Sequence, residues 1–211
     1  MVRLPPRTMI LAVLVGGAVT GLAATQLLAH DRTVAANPAT TNSRAIAPAT
    51  TLRPTAAPTT DEPRTPTERG HEALELITYD WRDKLSDWSI VFAPGREGVL
   101  GLTYVDDKTI EVFVRDDQTA ALLAHVIAHE MGHAVDVTLN SSDERERWQE
   151  ARDIGSAPWW PDDGATDFLT GAGDFAESFA AWQVGSGDFR SKLAGPPNAA
   201  QLGLLAELCV G

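Results

Sequence analysis

The chain has 211 residues, a formal net charge of −12 and one cysteine, Cys209. One ordinary domain plus additional segments fits that length. A lone cysteine excludes an intrachain disulfide, and the acidic balance excludes strong binding to nucleic acid or anionic lipid by the body of the chain.

The first thirty residues differ from the rest. After Arg3 and Arg7 comes TMILAVLVGGAVTGLAATQLLA, Thr8 to Ala29, without a charged side chain. As a helix that run spans a hydrocarbon core of about 30 Å. Basic residues before it and Asp31 after it favour delivery of the following chain outside the cell. A single-pass membrane anchor over 1–30, with the body extracytoplasmic, is the expectation. The alternative is a cleaved signal peptide and a secreted product, since Gly21-Leu22-Ala23 places small residues, Gly21 and Ala23, at a cleavage spacing.

Residues 31–66 hold six prolines, nine threonines and eight alanines in 36 positions and show no apolar periodicity. Such a segment buries too little apolar surface to offset chain entropy, so a disordered linker is expected. The body, 67–211, carries 11 Lys and Arg against 26 Asp and Glu, a net −15. Its acids are spread along the chain, as on solvated faces. About 145 residues suffice for a core without disulfides.

Within the body, 71–85 places Leu74, Ile77, Trp81 and Leu85 at helical spacings. The run 88–94 reads as a strand ended by Pro94-Gly95, and 99–105 with 109–115 as a hairpin. Asp116-Asp117 then offers an N-cap to a long helix that is apolar around most of its circumference. A charged helix over 141–155, a loop over 157–173 and helices over 174–184 and 199–210 complete the body. The fold class expected is α+β, with a small antiparallel sheet and a buried helix.

That buried helix contains HVIAHEMGHAVD, residues 125–136. His129-Glu130-Met131-Gly132-His133 fits H-E-x-x-H. Residues four apart on a helix lie one above the other, so both imidazoles face one point and form half of a tetrahedral zinc site. Glu130 is rotated about 100° from His129, placed to act on water as a base. Two histidines and a glutamate buried without partners would cost several kcal/mol, which a metal relieves, or alternatively a hydrogen-bonded core network. A structural zinc site takes four protein ligands, often thiolates, and one remote cysteine does not supply them. No histidine follows His133, so a carboxylate is left as third ligand.

HEMGHAVD followed by DFAESFA, residues 174–180, resembles the gluzincin metallopeptidases, and most closely their lethal-factor-like branch. That branch pairs H-E-x-G-H-x-x-D with a helix containing F-A-E-x-F. The resemblance covers the body from the hairpin onwards and implies a zincin-like fold, a zinc-dependent endopeptidase and a peptide or protein substrate. It implies His129 and His133 as ligands, Glu130 as base and Glu177 as third ligand, with Asp174 the alternative and the other acid supporting the site. A site lacking a third protein ligand also stays open. Asp136 is placed to accept a hydrogen bond from a ligand histidine or to lie on the helix surface, and His125 reads as a packed or rim histidine. The related branch carries a tyrosine shortly before the ligand helix, where Asp167 and Thr170 stand here, so the oxyanion donor is unassigned. Trp159, Trp160 and Trp182 are cleft or core residues. The resemblance also suggests a substrate lying antiparallel along 109–115. A tethered binding module with a zincin fold and a non-catalytic metal site is the alternative function.

Overall fold

The computed structural model describes residues 63–161 and 166–210, with the backbone of Met9–Ile10. The body is α+β, with six α-helices and a small mixed sheet among the described residues. Of the expected anchor and linker, Met9–Ile10, a strand and not the expected helix, and residues 63–66 are described; the rest lies outside the described residues. Among those described, no helix is long and apolar enough to cross a membrane.

Strand β1, Met9–Ile10, pairs antiparallel with β3. Helix α1, Pro66–Leu74, begins inside the expected linker: Thr65 and Glu68 form a capping box, and Pro66 takes the first turn, where its missing N–H costs nothing. The single helix expected over 71–85 is two pieces, α1 and the four-residue α2, Trp81–Lys84. Between them the side-chain Oε1 of Gln183 accepts from the backbone amides of Thr78 and Tyr79, which diverts the backbone from helical pairing. Leu74, Ile77 and Leu85 are nevertheless buried, as their spacing requires.

Strands β2 (Ser89–Pro94), β3 (Gly101–Tyr104) and β4 (Thr109–Val114) follow. The hairpin is present: β3 and β4 pair antiparallel, Tyr104 opposite Thr109, with Lys108 left-handed at φ 47° in the turn. The sheet is mixed rather than antiparallel, because β2 runs parallel to β4. Strand β4 lies between β3 and β2, the position suited to its burial on both faces: Ile110, Val112 and Val114 join the main core, and Phe113 packs with Leu102 on the other side. Both edges of β4 are therefore paired, and no substrate can add along 109–115, contrary to the expectation.

Helix α3, Ala120–Leu139, is capped by Thr119, not by Asp116-Asp117, and is buried from Leu123 to Asp136. Helix α4, Ser142–Arg152, ends before Gly155, at a left-handed Asp153. A 3-10 turn, Asp167–Leu169, leads into α5, Gly171–Val184, and α6, Ala199–Leu208, closes the body. Helices α3 and α5 share the most extensive packing. They approach closely because residue 132 is glycine: a Cβ there would lie 2.8 Å from the Cα of Ala176.

Candidate metal centre

His129, Glu130 and His133 lie on the stretch of α3 enclosed by β3 and α5, and all three are fully buried. Both histidines direct Nε2 to one oxygen. His129 Nε2 is 3.1 Å and His133 Nε2 3.2 Å from Oδ2 of Asp167, itself fully buried. Tetrahedral ligands about 2.0–2.1 Å from a zinc-sized ion stand roughly 3.3 Å apart, so these separations fit a shared ion. The buried group His129, His133 and Asp167, two imidazoles and a carboxylate, could hold a metal ion.

Asp167 reaches that point through local structure. Thr170 caps α5 by accepting from the Gly173 amide, and its Oγ1 lies 2.8 Å from the Asp167 carbonyl oxygen. Gly173 clears the remaining space: a Cβ there would sit 2.2 Å from that carbonyl oxygen and 2.7 Å from Oδ2.

The acids expected as third ligand stand elsewhere. Glu177 lies on the opposite nitrogen of His129, its Oε1 2.8 Å from Nδ1 and 3.4 Å from His125 Nε2. Its Oε2 accepts from the Arg190 amide at 2.7 Å. Asp174 points away from the histidines and is consumed by an ion pair. Arg152 donates Nε to Oδ2 at 2.8 Å and Nη2 to Oδ1 at 3.0 Å, while Trp148 Nε1 and Ser191 Oγ add further bonds. Asp136 bonds to no histidine either. Its oxygens accept from Arg145 Nε and Trp159 Nε1, both at 3.0 Å, and His133 Nδ1 is buried without a protein partner. His125 is a packed histidine, 3 % exposed.

Electrostatics follow from these pairings. Burial alone would lower the His129 pKa, but Asp167 and Glu177 on its two nitrogens outweigh that and raise it to about 10. Burial opposes ionisation of both acids, yet the histidines prevail and hold Glu177 at about 2 and Asp167 well below the usual carboxylate range. Glu130 is raised by burial, which the nearby histidines only partly offset. Its Oε2 accepts from Thr103 Oγ1 at 2.7 Å, whereas Oε1 is buried without a partner.

Sequence reasoning passes over Asp167 as a metal-facing acid because no spacing rule ties it to H-E-x-x-H. The available signal is D-F-L-T-G-A-G, in which a helix-capping threonine and two glycines follow an acid across one tight turn. No tyrosine takes the oxyanion place: the Tyr79 hydroxyl donates to the Cys209 carbonyl and that of Tyr104 to Glu111. Trp182 packs with Tyr79 and Phe179, Trp159 and Trp160 flank Arg145, and the rings edge-on to His129 are those of His133 and Phe168. Comparison with family models, curated proteins and solved structures finds no match.

Proposed function

We propose that the body is a zinc-dependent endopeptidase of the zincin type, with His129, His133 and Asp167 as ligands and Glu130 as the base. The convergence of both Nε2 atoms on Asp167 Oδ2, beside a glutamate with one unpartnered oxygen, carries this reading. Two nitrogens and one carboxylate oxygen leave the fourth position of a tetrahedral zinc site open, as catalytic sites require. Glu177 takes the supporting role: it accepts the Nδ1 proton of His129 and so leaves the Nε2 lone pair for the metal. Bound zinc supplies Lewis acidity toward water and a peptide carbonyl. Glu130 Oε1 takes the proton of the attacking water and returns it to the departing amine. An extended substrate lies along the outer edge of β3, the strand that touches Glu130, in place of Met9–Ile10, which pairs antiparallel with that edge in this structure. The apolar run at 8–29 tethers or exports this activity.

One observation favours the alternative, a tethered module with a non-catalytic metal. His129, Glu130, His133 and Asp167 are all fully buried, so the group is closed to solvent. Full-length wild type and Glu130→Gln, purified and zinc-loaded, separate the readings when zinc is quantified and a peptide library digested. The endopeptidase binds one zinc and cleaves until a chelator is added, and Glu130→Gln keeps zinc but not cleavage. A Glu130→Gln chain cutting at near-normal rate refutes the base assignment. Zinc and a bound partner without cleavage support the module.

A further inference from the structure

Strand β3 touches Glu130 at two points. Thr103, fully buried, places Oγ1 2.7 Å from Glu130 Oε2 and 3.1 Å from the Glu130 carbonyl oxygen. A hydroxyl has one proton, and the shorter bond to a charged acceptor is the stronger claim on it. Two residues earlier, on the same face, Gly101 meets the other side of the carboxyl group: a Cβ there would lie 2.6 Å from both Cγ and Oε1 of Glu130. The two oxygens of Glu130 thus differ. Oε2 is bonded to Thr103, and Oε1 lies against bare glycine backbone without a partner.

We propose that Thr103 is a positioning residue for peptide hydrolysis: its hydroxyl pins Glu130 Oε2, so that Oε1 alone takes and returns the proton. The proposal rests on Glu130 being the base. A glutamate side chain has three torsions, and its terminal one is broad, so the carboxylate needs a fixed partner to present one oxygen. Proton transfer needs that oxygen within about 2.6–3.2 Å of the donor. Valine would fill the same volume in β3, so packing does not demand the hydroxyl. Gly101 adds the steric half of the device, because any larger residue would displace the carboxylate from its place over the strand.

Thr103→Val and Thr103→Ser, with wild type and Glu130→Gln, test this in the zinc-loaded full-length chain. Zinc content is measured, kcat and KM are taken on a quenched fluorogenic peptide, and the Glu130 carboxyl resonance is followed by carbon-13 NMR, assigned through Glu130→Gln. Thr103→Val is expected to keep its zinc and KM and to lose kcat by roughly 10- to 100-fold, the effect of one hydrogen bond to a charged group. The carboxyl resonance moves with it, and Thr103→Ser restores both. Should the valine variant not fold, Thr103→Ala against Thr103→Ser gives the same comparison. Wild-type cleavage with an undiminished kcat in Thr103→Val, or an unmoved resonance, overturns the proposal alone. A wild-type chain that binds zinc but cleaves nothing overturns the endopeptidase reading and this proposal with it.

Discussion

His129 is held by an acid on each ring nitrogen, and the two acids do different work. Asp167 shares the Nε2 side with His133, while Glu177 sits on Nδ1 with His125. On the proposed ligand set, replacing Asp167 by alanine removes a ligand atom, and replacing Glu177 by glutamine only weakens the orientation of one. Asp167→Ala is expected to abolish stoichiometric zinc binding, and Glu177→Gln to weaken it by roughly 10- to 100-fold. Competition titration against a chromophoric chelator gives the order, and equal losses would remove the distinction drawn between the two acids. The same pairings set a pH dependence. His129 is raised from 6.5 to about 10 in the metal-free chain. Its stabilising contribution is thus fully present below the unfolded value near 6.5 and is lost as pH rises through about 10. At neutral pH zinc must displace that proton, so binding releases it and tightens as pH rises toward 10. Calorimetry in two buffers of different ionisation enthalpy measures the release; identical heats would contradict it.

At the scale of elements, a strap and a helix hold the centre in place. The segment after α5 donates the Arg190 amide to Glu177, the Ser191 hydroxyl to Asp174 and the Lys192 amide to the Phe168 carbonyl. Helix α4 contributes Arg152, 5 % exposed, which meets Asp174 through two bonds and reaches the carbonyl of Gly195. The resemblance points to an acid in 174–177, whereas the acid at both histidines is Asp167 in the turn before α5. Of the two acids on α5, Glu177 bonds to His129 and His125, and Asp174 bonds to Arg152 and the strap. Removing Arg152 would leave the Asp174 carboxylate buried without its countercharge. Arg152→Ala is expected to destabilise the chain by roughly 3–5 kcal/mol. Denaturant unfolding of the metal-free chain measures it, and a loss under 1 kcal/mol would show that the remaining donors, Trp148 and Ser191, suffice for the charge.

Across the molecule, what could be read from sequence follows from the range of each interaction. The buried helix α3, the hairpin and the α+β class rest on periodicity and turn residues within one segment, and these are present. The parallel pairing of β2 with β4, the break between α1 and α2, and Asp167 at the histidines each depend on residues 20 or more positions apart. No local pattern encodes them. The candidate metal centre is itself such a long-range junction, since it joins α3 to the turn before α5 across 38 positions. A ligand that binds only the folded chain stabilises it by RT ln(1 + [L]/Kd), about 2.7 kcal/mol at a hundredfold excess over Kd. For a chain of this size each kcal/mol moves Tm by about 2–4 °C. Free zinc at that excess is therefore expected to raise Tm by roughly 5–10 °C in wild type, and by as much in Glu130→Gln, whose ligands are intact. Asp167→Ala should show no such rise. Calorimetric scans with and without a chelator decide it: a zinc-independent Tm in wild type would mean that the histidines and Asp167 hold only one another.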